Sequence, residues 1–195
     1  GLFTWDLGKG EHSRILFKKD DIELAELVYN PKSTERENLS AGIKDWTVPT
    51  VPQKPDIVLQ LTKNDLQEGM KMTYLFDAKY RIDGKDKNGV DVPPEDAINQ
   101  MHRYRDAIYY GNKVENVRLH SAKEIIGGYI QFPGRGDDEA VRNRYFFKSI
   151  ETVNIGAFPL LPDHNDPDNE GSLLFEHLTK ILVGQSAYEQ IRDSI

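Results

Sequence analysis

Asp77 and Lys79 stand two residues apart in TYLFDAKY, residues 73–80, an acid and a base set among bulky strand formers. Side chains alternate along a strand, so Thr73, Leu75, Asp77 and Lys79 share one face, and Tyr74, Phe76, Ala78 and Tyr80 the other. A charge in such company is costly unless it is paired or holds a cation. Asp56 opens a second strand-like stretch, DIVLQL, whose alternation groups Asp56, Val58 and Gln60 against Ile57, Leu59 and Leu61. If the two stretches pair as an antiparallel hairpin, the two acids converge. Carboxylates brought together repel, so one takes a proton or a cation fills the gap. Hard oxygen ligands select Mg²⁺ or Mn²⁺. A lysine alongside can orient or help deprotonate a water and stabilise negative charge on phosphorus. The chemistry these residues suit is metal-assisted hydrolysis of a phosphodiester.

Plainer readings fit the same spacing. Asp77 and Lys79 also read as a surface ion pair worth little, and Pro55–Asp56 as the start of a strand, where proline is tolerated. Gln100 and Tyr104 lie one helical turn apart and suit either a site or ordinary packing. Arg103 and Arg105 suit phosphate contact or a solvated face, and Arg81, Lys85 and Lys87 form a basic, mobile loop suited to non-specific backbone contact.

The elements that must position these residues follow from local signals. Residues 1–20 are mixed, with DLGKGEHSR as a loop or hairpin whose Gly-Lys-Gly lacks the setting of a phosphate loop. DIELAELVYNP suits a strand or a short helix, ended by Asn30-Pro31. WTVPTVPQKP, with three prolines, is extended. TKNDLQEGMK connects the two candidate strands. PEDAINQMHRYRDAIYYG is the clearest helix: Pro94 fits its first turn, Glu95 and Asp96 its N-terminal dipole, Gly111 its C-cap. EIIGGYIQFPG reads as a buried strand and RGDDEAVRN as a charged turn or helix, while RYFFKSI and VNIGAFPLL carry weaker signals. A last helix, SLLFEHLTKIL, places Leu173, Leu174, Leu178, Ile181 and Leu182 on one apolar side. The acidic loop before it, DHNDPDNEG, lacks the glutamate a calcium loop requires.

The chain has 195 residues, 38% of them hydrophobic and 29% charged, which suits one globular domain with a sizeable core. No apolar run approaches the length that spans a bilayer. There is no cysteine, which excludes disulfides and thiolate metal sites and is compatible with a cytoplasmic location. A net charge of −7 argues against a generally basic nucleic-acid coat. Residues 79–148, however, hold 13 Lys and Arg against 11 Asp and Glu, and they follow directly on the charged strand.

Pro55–Asp56, then Asp77-Ala78-Lys79 at the end of the next strand, resembles the PD-(D/E)XK nuclease superfamily. Gln100–Tyr104, QMHRY, is similar to the QxxxY helix motif of its RecB-like branch. PDIVLQL, FDAKYRID, PEDAINQMHRYRDAIYY, IIGGYIQFPG and IGAFPLLP, in that order, resemble the blocks of McrC-like members over roughly residues 50–162. The resemblance implies an α/β restriction-endonuclease-like fold, a mixed central sheet flanked by helices. It also implies a metal-dependent DNA endonuclease of a restriction or defence system, with Asp56 and Asp77 binding Mg²⁺ or Mn²⁺. Asp56, Asp77, Lys79, Gln100 and Tyr104 are then the catalytic set, DNA the partner, and a nucleotide-driven motor subunit a further one. Residues 1–195 are expected to form a single nuclease domain, part of a longer parent chain. The superfamily's acidic residue on a helix before the first core strand has no clear counterpart; Glu11, Glu23 and Glu26 are the available substitutes, and the position is left unassigned. The rival from another class is a catalytically inactive nuclease-fold module that binds DNA or a partner protein. Intact Asp56, Asp77 and Lys79 speak against it.

Overall fold

Asp20 and Asp21 both adopt left-handed backbone angles, with φ of 50° and 64°. Two successive positive φ values are what a tight two-residue hairpin requires, and aspartate tolerates them. The turn joins β2 (Ser13–Lys19) to β3 (Ile22–Tyr29), so the segment read as strand or short helix is a strand. The computed structural model describes residues 2–7, 13–31, 46–47, 51, 53–65, 70–110, 122–123, 125–135, 138–160, 172–184 and 186–192. The DLGKGEHSR turn, Gly111 and the DHNDPDNEG loop fall wholly or partly outside them.

The chain divides into two compact units, Gly1–Phe76 with Arg103–Ile126, and Asp77–His102 with Gly127–Ile195. In the first, β1 (Leu2–Leu7), β2, β3, β5 (Ile57–Lys63) and β6 (Met70–Ala78) pair successively and antiparallel. Val58 faces Leu75 and Gln60 faces Thr73, so the two alternations read from the sequence lock together with both polar faces on one side. Val58 to Leu61 and Met72 to Phe76 are buried without a break, so both faces of these strands are covered. A small antiparallel sheet joins β4 (Trp46–Thr47), β7 (Tyr109–Tyr110) and β8 (Ala122–Lys123).

In the second unit, β10 (Ile155–Pro159) pairs parallel with β9 (Ile125–Phe132), and the connection carries α2 (Asp138–Arg142) and α3 (Tyr145–Val153). RYFFKSI is thus helical and VNIGAFPLL supplies a strand. Gly156 permits the close approach of α3: a Cβ there would lie 2.3 Å from the Phe146 carbonyl and 2.4 Å from the Ile150 side chain. Asn154 ends α3 in the left-handed conformation, its N–H donating to the Ile150 carbonyl. With antiparallel pairing in the first unit, parallel pairing of β9 with β10 in the second, and helices beside them, the mixed α/β class expected from the sequence holds.

Two sequence expectations are corrected here. The final helix is α-helical only over α4 (Ser172–Thr179) and continues as a π-helix, Lys180–Gly184, before α5 (Ala187–Arg192). The wider turn shifts the apolar stripe, so Leu173 and Ile181 are buried while Leu182 is 44% exposed. The polar stretch after β6 is not loose. Lys85 and Asp91 form a bridge, Asp86 caps a turn by accepting from the N–H groups of Asn88 and Val90, and Asp91 is buried, accepting from the Arg135 N–H.

Candidate active site

Pro55 is buried and stops the chain just before β5, which leaves Asp56, half-buried, at the head of the strand. Two hydrogen bonds hold this approach. The Asn30 N–H donates to the Asp56 carbonyl at 2.6 Å, and the Tyr104 hydroxyl donates to the Lys54 carbonyl at 2.8 Å. Tyr104 belongs to α1 (Glu95–Ala107) and is only 3% exposed, so its ring is part of the core while its polar tip fixes the strand entrance.

Asp77 lies at the end of β6 and is 2% exposed. A carboxylate so buried needs a partner, and Lys79 supplies one: its Nζ lies 2.6 Å from Asp77 Oδ2. The Lys79 backbone is held as well, its N–H donating to the Gln131 carbonyl at 2.8 Å. With a quarter of its side chain exposed, Lys79 bridges a buried acid and solvent. The simple surface pair is therefore not what forms. Asp56 directly precedes Ile57, whose partner in the β5–β6 ladder is Phe76.

Gln100 lies on α1, half-buried, one turn before Tyr104. The helix begins where expected, with an additional contact that local sequence does not reveal: the Asp83 carboxylate accepts from the Glu95 N–H at 3.0 Å. Of the basic residues expected to form a mobile DNA-contacting loop, Arg81 reaches Asp83 and Asp96, each at 2.5 Å, and Lys85 lies 3.6 Å from Asp91. Both cations are thus engaged with carboxylates, Arg81 with one on α1 as well as one nearby in the chain.

Register rules out two substitutes for the missing acid. Glu26 pairs with Gln60, four residues along the ladder from Asp56, roughly 13 Å away, and its buried carboxylate meets Arg14. Glu23 is engaged by Lys71, whose partner Thr62 lies further still from Asp56. Glu11 is outside the described residues.

Among the described residues, no three Asp, Glu or His side chains gather in one place. The carboxylates expected to hold the cation, Asp56 and Asp77, number two. That fits Mg²⁺, which takes one or two carboxylates and fills its octahedron with water and phosphate oxygens.

A family model described as the PD-(D/E)XK nuclease superfamily matches residues 1–137, more than two thirds of the chain. The chain belongs to that superfamily. Comparison with curated proteins and with solved structures gave no match. Membership supports a nuclease-type function, with DNA as the substrate a nuclease family implies. The matched span takes in Asp56, Asp77, Lys79, Gln100 and Tyr104 together with β9, and stops before α2. No helix among the described residues is long and apolar enough to cross a membrane.

Two contributors to this superfamily member's site had no sequence signal. The carbonyls of Lys54 and Gln131, which hold the strand entrance and the lysine, are backbone groups that every residue carries.

Proposed function

We propose that the protein is a metal-dependent DNA endonuclease in which Asp56 and Asp77 hold Mg²⁺ or Mn²⁺ and Lys79 is the catalytic base or charge stabiliser. The ion pair between buried Asp77 and part-exposed Lys79 supports this reading most, because it keeps a charged acid and a solvent-facing ammonium two residues apart at a strand end. The bound cation would supply positive charge against the phosphate. In the hydrolysis a water oxygen bonds to phosphorus and the bond to the leaving oxygen breaks. Lys79 would orient that water or donate to a phosphate oxygen, a role supported by the contact of its Nζ with Asp77.

Tyr104 is assigned a positioning role through the Lys54 carbonyl, and Gln100 is assigned to the same helix face toward the site. The resemblance to McrC-like blocks supports a role in a cytoplasmic restriction or defence system, with a nucleotide-driven motor as partner. The test is incubation of the purified protein with supercoiled plasmid, with and without Mg²⁺ or Mn²⁺. Nicking or linearisation that requires the cation supports the reading. An intact plasmid at every cation concentration, with DNA binding retained, returns the choice to the inactive binding module.

A further inference from the structure

Tyr80 follows Lys79 directly and is 96% exposed. Strand alternation pairs it with Tyr74 and Phe76, but β6 ends at Ala78, so the ring leaves the sheet while those two stay buried. The backbone on either side of it is anchored. Ahead of it, the Lys79 N–H is bound to the Gln131 carbonyl and the ammonium to Asp77. Behind it, Arg81 reaches Asp83 and Asp96, the Asp83 N–H donates to the Val92 carbonyl at 2.9 Å, and the Asp83 carboxylate accepts from the Glu95 N–H. An isolated exposed aromatic is ordinary. This one is distinguished by its place: a ring in water, on a fixed stretch of chain, next to the lysine assigned to the phosphate.

We propose that Tyr80 stacks on an unpaired nucleobase of the strand being cut, beside the phosphate at Lys79, and that the preferred substrate is DNA that is single-stranded or locally opened at the cut. The inference rests on the nuclease reading above. Within a duplex both faces of a base are covered by its neighbours, so a protruding ring gains a stacking surface only from an unpaired nucleotide. Stacking of this kind tolerates any base, since every base has a π face. Because the neighbouring residues are already anchored, little backbone ordering is left for the moment of binding. The chain's charge of −7 also gives weak general attraction to phosphates, which raises the share of affinity that a stacking contact must supply.

The experiment compares wild type, Tyr80→Phe and Tyr80→Ala on labelled single-stranded and duplex oligonucleotides. Affinity is read in EDTA, and KM and kcat are read with Mg²⁺. Tyr80→Ala should weaken binding and raise KM on single strands by about five- to a hundredfold, the range expected for one base–aromatic stack. Its kcat should stay within about twofold, and Tyr80→Phe should match wild type. A series of oligonucleotides, each with one abasic nucleotide, adds a control that a merely structural role would not move. At one position next to the mapped cut, removing the base should reproduce the loss in wild type and cost nothing further in Tyr80→Ala. Wild-type cleavage accompanied by unchanged KM in Tyr80→Ala, or by a preference for intact duplex, overturns the Tyr80 inference alone. A wild-type protein that neither binds nor cuts DNA overturns the nuclease reading and this inference with it.

Discussion

Tyr104 and Lys54 are joined by a 2.8 Å hydrogen bond from the phenol of one to the carbonyl of the other, 50 residues apart in the chain. The bond ends two residues before Asp56, so a helix in the middle of the sequence fixes the entrance to β5. Tyr104→Phe removes the bond and keeps the ring. The stability loss should be about 1 kcal/mol, because the part-buried carbonyl can regain water. If the bond positions Asp56, kcat should fall by about tenfold or more, since small displacements of a catalytic group are expensive, and DNA affinity should stay. Chemical unfolding and single-turnover cleavage give the two numbers. A normal kcat in a variant that has lost the stability would leave Tyr104 a packing residue only.

Lys79→Ala leaves Asp77 buried without its ammonium. Cleavage should fall by about a hundredfold or more, the usual consequence of removing one donor aimed at developing charge. DNA binding should persist, as both carboxylates remain. Stability should fall by about 1–3 kcal/mol, below the cost of breaking a fully buried pair because Lys79 itself is partly in water. Lys79→Arg should recover the stability but little of the activity, since a planar guanidinium neither gives up its proton nor occupies the same point. Wild-type cleavage by Lys79→Ala would remove Lys79 from the chemistry.

The alternation within β5 and β6 was legible because side chains along a strand have a strict period of two, and the pairing of Val58 with Leu75 and of Gln60 with Thr73 keeps the two patterns in step. The start of α1 was legible from Pro94, Glu95 and Asp96, whose preferences are local. What failed to show depended on partners far away in sequence. Composition alone made residues 81–92 look mobile, since the acids that hold Arg81, among them Asp96 fifteen residues on, are invisible to a local reading. Glu26 looked eligible as a ligand until its register opposite Gln60 moved it down the ladder from Asp56. The π-helical turn at Lys180–Gly184 follows a sequence that keeps a good α period, and only Leu182 turned to solvent betrays it.

His177 gives a pH dependence unrelated to cleavage. Its ring packs edge-on against Tyr129, with centroids 4.6 Å apart, and lies 5.2 Å from Phe158. Burial, with Lys180 adding to it, pushes its pKa down to about 4. The unfolded chain takes up a proton near pH 6.5 while the folded one does not until about 4. The unfolded state therefore binds more protons in that window, and stability must fall as pH drops through it. The contribution is fully present above pH 6.5 and lost by about pH 4, a change of up to roughly 3 kcal/mol. Urea unfolding at several pH values should show this slope in wild type and a flatter one in His177→Phe, with the carboxylates common to both. Identical slopes would mean that His177 titrates as it does in water.

The cation should be visible in stability before any cleavage is measured. A cation bound by Asp56 and Asp77 prefers the folded chain, because the unfolded chain offers no preformed pair of ligands. Melting temperature should then climb with Mg²⁺ or Mn²⁺ concentration. The gain should reach roughly 2.7 kcal/mol at a hundredfold excess over Kd. Asp77→Asn keeps the shape of the side chain and removes its charge, so most of the metal response should vanish. Without metal, the substitution also takes away the ion pair with Lys79 but no longer buries a carboxylate, so the metal-free variant should lose little stability or gain some. Lys79→Ala provides the contrast: both carboxylates stay, and the metal response should survive in a protein that no longer cuts. Calorimetry of the three proteins across a Mg²⁺ series separates ligand from catalyst. An equal response in wild type and Asp77→Asn would take Asp77 out of the metal site, and the proposed division of labour at the end of β6 would fail with it.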